Sequence, residues 1–459
     1  MDNTSDLEVH GHWWLADRPD NKVSGVLRFD PDKGGVLRLI GSFRRLSEAG
    51  ETVTEPDGTQ LTKFSQDSLQ GSGVYPRILG EDDWGQYTLD DCLSTHFRSQ
   101  LFRGGGEETV SVSSILHGAA ISDPLDMNQC SVRMHYLPHW IMCDAIKEQH
   151  LFRDEKNPAP FGYELSVKRR DPERVVLEDG TEVILRHSIG IEGNRVAARE
   201  VLQDFRVEVT PSSRLSIDDI LEISSDFQDL VSIATGRIAE FRSVALCRSD
   251  VRYPPIGDVD RGPRPLQYYA AWSARDASTS DLSVRDVYFT FSDIGGIDGV
   301  RLWLDSAAVY RSTLGRVMST RYSGGMLVSD RLLNCTAALE AFDKLRTGYG
   351  NSTFATRISR AVSFAGTPFE VVTGSDSTAW VNVVRYHRDD IAHHLGRNLR
   401  RDAPDLHVLG ESLYWLYVMC ALRQANAPIA VFEKLARDRR ILGLGRNVRD
   451  VVVRQAARL

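Results

Sequence analysis

Lysine is scarce in this 459-residue chain, at 8 residues against 47 arginines. Cysteine is sparse and scattered. The six, at 92, 130, 143, 247, 335 and 420, form no Cys-x-x-Cys pair, which argues against a zinc ribbon or a disulfide framework and for reduced core thiols. No apolar run reaches the ~18 residues that a bilayer span needs, so no membrane partner is expected. The opening stretch MDNTSDLEVHGHWW lacks a basic segment followed by an apolar one, so neither a secretory signal nor a transit peptide is read there and a cytoplasmic protein is expected. His-Glu-x-x-His is missing, and no spacing of ligand residues points to a metal or another cofactor. Gly104-Gly105-Gly106 and Gly443-Leu444-Gly445 lack the residues of a phosphate-binding loop and read as turns. No internal repeat of useful period is present.

What remains is a globular composition, with 42% apolar and 26% charged residues, enough to bury sizeable cores. The length allows roughly three folding units, or two with one of them large. The net charge of -8 hides an asymmetry. Residues 330–459 carry 19 basic and 13 acidic side chains, or +6, whereas the remainder, with 36 against 50, carries -14. A polyanionic partner is therefore expected to meet the C-terminal part. The planar fork of arginine suits bidentate phosphate contact, although a GC-rich genome produces the same arginine bias.

The first 297 residues read mainly as strands and turns. The cluster Asp30-Pro31-Asp32-Lys33-Gly34-Gly35 divides two apolar-rich runs, and Asp179-Gly180 divides two β-branched runs with the dipeptide that a type I′ turn favours. Further strands are predicted at Val201–Val209, Ile238–Cys247, Leu266–Trp272 and Val287–Phe291. Helices are predicted at Pro138–Gln149 and Ser216–Ala234, the latter opened by Ser216 and Asp219 as a near capping box. Near Asp298 the apolar period changes from two to 3.6. Helices are predicted over GVRLWLDSAAVYRSTL, over RLLNCTAALEAFDKLRTGYG with a glycine stop at 348 or 350, and over Thr353–Phe364, Ser377–Leu395 and Leu406–Arg423. The fold class expected is α+β multidomain, with a β-rich region of sandwich-like sheets and a few helices over 1–297 and an all-α bundle over 298–459.

Chemistry points to the helix at 377–395. Trp380, Val384, His387, Ile391 and Leu395 fall on one stripe that should face the bundle core. Arg388 borders the stripe, and His393 lies on the order of 140° further round, so one straight helix does not aim both side chains at one atom. A distorted helix or a second copy of it does. Asp389 and His393 are i and i+4, so the carboxylate can accept from one imidazole nitrogen and fix the tautomer. An arginine with a histidine suits metal-free cleavage of RNA, whose 2′-hydroxyl lies beside its own phosphate, and an enzyme then needs only proton transfer and charge stabilisation. The bare spacing Arg-x4-His has no weight, since 47 arginines and 12 histidines supply about one such match by chance. Its place in an amphipathic helix, with an acid directly after the arginine, gives it meaning.

Arg388-Asp389-Asp390-Ile391-Ala392-His393 resembles the Arg-[Asn/Asp/His]-x3-His signature of HEPN-domain ribonucleases, helical modules that dimerise and cleave RNA without metal. ALEAF at 338–342 looks like the first-helix segment of the HEPN domain in ApeA-type anti-phage proteins, and GHWWLADRPDNKVSGVLRFDPDKGGVLRLIGSF is similar to the start of the ApeA N-terminal domain. Between about 100 and 290 only the β-rich character matches. The resemblance implies abortive-infection defence by an endoribonuclease: a sensor or regulatory region with a phage protein as its expected trigger precedes a module that cuts host or phage RNA as a homodimer or higher even oligomer. It makes Arg388 and His393 the catalytic pair and Asp389 the residue that orients the histidine. Glu340 is a secondary candidate that borders the cleft, and Arg385 and His394 are neighbours of the motif.

Competing readings stay open. Arg388 and His393 on a solvated face with Asp389/His393 and Arg385/Asp389 ion pairs would make a non-catalytic dimerisation or docking module, whose β-rich region recognises a viral or host protein. His387, on the apolar stripe, reads as a core histidine. Trp13 and Trp14 point to opposite faces of a strand, so at most one is expected to be buried. The arginines at 437, 439, 440, 446, 449, 454 and 458 form either an RNA-guiding surface or a solvated helix face.

Overall fold

The computed structural model describes residues 6–43, 50–55, 57, 60–64, 73–99, 106–152, 160–257, 259–272, 274–275, 282–393 and 403–456. Contacts divide the chain into two compact units that interleave in sequence: 1–132 with 213–220 and 242–272, and 133–212 with 221–241 and 273–459.

The first unit is built on antiparallel strands. In chain order these are β1 (Leu7–Leu15), β2 (Val23–Asp30), β3 (Gly34–Ile40), β4 (Gly50–Thr54), β5 (Gln60–Phe64), β6 (Val74–Glu81), β7 (Gln86–Ser99), β8 (Gly106–His117), β9 (Asp126–Met127) and β10 (Gln129–Met134). Period-two patterning sets the inward face: Leu27, Phe29, Leu37 and Leu39 are buried while Arg28 and Arg38 between them are exposed. Six of these strands close on themselves, pairing β1 with β2, β2 with β3, β3 with β8, β8 with β7, β7 with β6 and β6 with β1. The ring is a barrel, which leaves none of the six as a bare edge along its whole length. Its interior is filled by Trp13, Leu27, Leu37, Phe43, Ile78, Leu89, Val110 and Ile115, among others.

Two details show how closely this core is fitted. Gly80 lies against the face of Trp13, where an added Cβ would come within 2.2 Å of Cε3. Glu108, only 1% exposed, accepts hydrogen bonds from Ser42 Oγ at 2.8 Å, Phe43 N at 3.1 Å and Tyr75 Oη at 2.7 Å. At the turn between β2 and β3, Asp30 Oδ1 accepts from the amides of Asp32 and Lys33, and Gly34 takes φ +83°, as the turn-rich sequence predicts. Both tryptophans are buried, Trp13 at 0% and Trp14 at 8% exposure, against the expectation of one. Trp13 fills the barrel, and Lys22 lies over the Trp14 ring at 4.6 Å, so the outer face is covered too.

The second unit opens with α1 (Leu137–Ile141), followed by β11 (Ile146–Leu151), β12 (Gly162–Val167), β13 (Glu173–Val176), β14 (Glu182–Glu192) and β15 (Glu200–Thr210). The predicted helix 138–149 is therefore a five-residue helix and a strand: Met142 takes a left-handed conformation that ends the helix. β13, β14 and β15 form an antiparallel meander. Its first turn is not type I′. Gly180 has φ +85° and Asp179 has no positive φ, while Gly180 N donates to Leu177 O, the pattern of a type I turn closed by a left-handed glycine. The two remaining strand pairs belong to the first unit: β16 (Leu215–Ser216) pairs β9, and β17 (Phe241–Arg252) pairs β18 (Pro263–Ala270).

α2 (Ile217–Thr235) starts where the capping pattern predicts, with Asp219 N donating to Ser216 Oγ at 3.1 Å and Ser216 Oγ bonded to Asp219 Oδ2 at 2.6 Å. The segment 287–291 is not a strand. Tyr288 N donates to Ala234 O and Phe291 N to Trp140 O, single bonds to two different elements. The eight elements from Gly296 onward that the structure describes are all helices: α3 (Gly296–Tyr322), α4 (Val328–Thr347), α5 (Phe354–Ala365), α6 (Thr367–Thr373), α7 (Thr378–His393), α8 (Ala403–Gln424), α9 (Ile429–Arg437) and α10 (Arg439–Ala456). Every residue from Ser412 to Leu422 is buried, so α8 is apolar all round and forms the axis of the bundle, packed by α3, α4, α5, α6 and α10. Among the described residues no helix is long and apolar enough to cross a membrane.

Candidate functional site

α7 buries Trp380, Val384, His387 and Ile391, the stripe its period predicts, and Trp380 Nε1 donates to Ser412 Oγ of α8 at 3.0 Å. Leu395 and His394 lie outside the described residues. With that stripe turned inward, Arg388 sits at its border with a side chain 26% exposed. Its guanidinium donates from Nη1 to Asp389 Oδ1 at 2.9 Å and from Nη2 to Glu340 Oε2 of α4 at 3.2 Å. The cation also lies 5.2 Å from the centre of the Phe354 ring at the start of α5. Three helices thus fix one guanidinium that solvent still reaches.

His393 is exposed in the last described turn of α7. Among the described residues no hydrogen bond joins it to Asp389, whose carboxylate turns to Arg388 instead of the histidine that the i, i+4 spacing suggests. Arg385 lies over the ring of its neighbour Tyr386, at 5.3 Å from the centroid. The structure therefore brings Arg388, Asp389 and Glu340 together and leaves His393 and Arg385 apart from them.

The surroundings hold residues the sequence reading passed over. One turn beyond Glu340 on α4, Asp343 is 1% exposed and meets three arginines: Arg360, which donates from both Nε and Nη2, Arg346 at 3.7 Å and Arg357 at 3.9 Å. Arg357 Nη1 also donates to the Glu340 carbonyl at 3.3 Å, so α5 is tied to the turn that carries Glu340. Acids at 340 and 343 on one helix, facing arginines at 357 and 360 on the next, are the i, i+3 signal that could have found the cluster. It supplies four guanidinium groups against three carboxylates, with Arg346 and Arg360 about a quarter exposed. An anion can approach such a group by replacing a carboxylate contact.

Among the described residues no group of three or more His, Cys, Asp or Glu side chains is arranged to hold a metal ion. Asp390 is fully buried.

A closed antiparallel barrel in one unit and a helical bundle around a buried axial helix in the other make this an α+β multidomain protein. A family model, ApeA N-terminal domain 1, matches residues 8–299, well over half of the chain, and the chain belongs to that family. The match covers the barrel, the strand pairs around it, the β13–β15 meander and α2, and it ends at the first turn of α3. No curated protein and no solved structure gives a significant match.

Proposed function

We propose that this protein acts in anti-phage defence as an endoribonuclease, its helical part from about residue 298 being a HEPN-type module that works as a homodimer or larger even assembly. Membership of the ApeA family supports the defence role. The observation that carries the chemistry is Arg388, a permanent cation held by carboxylates on two helices yet 26% exposed, on the same helix as an exposed histidine.

In this reading Arg388 binds the phosphoryl oxygens of RNA, exchanging a carboxylate contact for the phosphate. Asp389 and Glu340 keep the fork in register while it does so. His393, from the same or a second copy of α7, moves the proton. The 2′-oxygen attacks phosphorus and loses its proton, the bond to the 5′-oxygen breaks, and that oxygen is protonated. The products are a 2′,3′-cyclic phosphate and a free 5′-hydroxyl. The +6 charge of residues 330–459 favours approach of the polyanion.

Purified protein incubated with RNA in EDTA is the test. Cyclic-phosphate ends that disappear in both Arg388→Ala and His393→Ala are the expected result. Cleavage that survives His393→Ala overturns the mechanism. A second reading, a docking module without catalysis, is favoured by the same ion pairs, since Glu340 and Asp389 already neutralise Arg388 and join α4 to α7. Growth arrest on overexpression separates the two: arrest by wild type and not by Arg388→Ala supports the nuclease, and equal behaviour supports docking.

A further inference from the structure

The second unit contains a cavity of about 310 Å³ that shares no residue with the Arg388 cluster. It opens between the C-terminal end of α2, Tyr288, α3 and α8. Its volume is at the small end for ligand sites. We infer that this cavity binds a free purine nucleoside monophosphate, with the base against the cavity-facing edges of the aromatic side chains and the phosphate towards Arg237.

The walls argue for a flat ring. Tyr288, Tyr414 and Trp415 line the cavity, with Tyr288 and Trp415 edge to face at 4.6 Å and Tyr414 and Trp415 at 5.5 Å. The two tyrosines are fixed by guanidinium groups, Arg321 at 3.6 Å from the Tyr414 centroid and Arg440 at 3.5 Å from that of Tyr288. Gly236 makes room for this arrangement. It takes φ +66°, and a Cβ there would stand 2.7 Å from Tyr288 Cε2. Rigid aromatic side chains around a small space suit stacking or edge contact with a heterocycle.

Polar groups at the cavity argue for a base in particular. Arg321 and Glu411 form a two-fold fork at 2.7 and 2.8 Å, and both remain about a quarter exposed. Each Glu411 oxygen keeps a second lone pair, which can accept from the N–H groups of a purine. The Trp415 indole N–H makes no hydrogen bond to a described residue although Trp415 is only 5% exposed, and its nitrogen is not sealed by protein. Such a donor calls for an acceptor, which the ring nitrogens or carbonyl of a purine provide. Arg237 lines the same cavity and supplies the positive charge for a phosphate. Between them, aromatic surface, a carboxylate acceptor, a spare donor and a cation match the parts of a nucleotide.

The full chain should be titrated calorimetrically with GMP, AMP, guanosine and a short RNA oligomer. Binding of GMP or AMP is expected, weakened about tenfold by Trp415→Phe, which keeps the ring and removes the donor. Arg237→Ala should weaken the monophosphate and leave guanosine unchanged, and Arg388→Ala should bind as wild type does. That last variant keeps the outcome separate from the fate of the nuclease reading. Absence of heat with both mononucleotides at millimolar concentration, binding of the oligomer alone, or wild-type affinity in both Trp415→Phe and Arg237→Ala would overturn the inference. Melting temperatures of each variant show whether a lost signal reflects unfolding.

Discussion

The barrel and the helical bundle solve the problem of buried charge differently. Inside the barrel, Glu108 is held by a hydroxyl, a backbone amide and a phenol. In the helical unit, three buried carboxylates meet arginine, Asp226 with Arg311 at 2.7 Å, Asp343 with Arg360, and Asp405 with Arg454 at 2.7 Å, while Asp229 accepts from the Tyr322 phenol. The neutral donors, Tyr75 on β6 and Ser42 and Phe43 just after β3, need close register and offer nothing to an incoming anion. Guanidinium groups on helix borders satisfy the acid while leaving part of themselves in water, as Arg311, Arg360 and Arg388 do. The barrel spends polarity on shape, whereas the bundle keeps cations within reach of a ligand.

Removing Arg388 is the strongest way to sharpen that contrast. Arg388→Ala should lower RNA cleavage by about a thousandfold, the usual loss when a charge-stabilising donor goes. Arg28→Ala, on the outside of the barrel and paired with Glu8, should change the rate by less than about twofold. Next comes stability in urea. Asp343→Asn leaves three arginines facing a neutral amide and should cost about 3–5 kcal/mol. Glu108→Gln, which presents an NH₂ to donors on one side, should cost about 1–3 kcal/mol. Equal losses in the two variants would break the comparison.

Gly80→Ala tests the fit of the barrel itself. Its Cβ has no room beside Trp13, and a loss of about 3 kcal/mol is expected, measured by the same denaturation. The smallest effect is one of pH. Burial pushes the Asp226 carboxyl up to about 6, against the pull of the Arg311 hydrogen bond. The folded value lies above the unfolded one of about 4, so ionisation works against folding and stability contributed by this group is lost as pH rises from about 4 to about 6. Asp226→Asn should remove that component, read as a smaller difference between the urea midpoints at pH 5 and 7 than in wild type. An identical pH dependence in both proteins would refute it.

Much of the bundle was legible because helix periodicity is local. The stripe Trp380, Val384, His387 and Ile391 needs only 3.6 residues per turn to predict, and all four are buried. The cap at Ser216 and the glycine stop at Gly348 were readable for the same reason. The β-rich part was less so. Both Trp13 and Trp14 are buried because closure of the ring gives β1 a filled inside and a covered outside, which alternation along one strand does not reveal. The short α1 ends at Met142 through a left-handed residue that no pattern marks, and Val287–Phe291 places Phe289 and Phe291 in the core without pairing as a strand. At the candidate site, Glu340 was reached through a resemblance and meets Arg388 in space, whereas the Asp343 cluster went unseen because two of its three arginines, Arg357 and Arg360, are 14 and 17 residues away on another helix.

β8 has a consequence for how the chain comes together. Along one side it pairs with β3 through residues 107–112 and with β18 through residues 114–117, while β7 lies along the other side. The partner of its second half is therefore not synthesised until about 150 residues later, after the α1, β11–β15, α2 and β17 segments. A nascent chain can close the ring early yet must hold that half-seam open through a long wait. Ribosome-bound intermediates halted before residue 263 should accordingly expose to exchange those amides of Ser114–His117 that face β18, and those released after residue 270 should protect them.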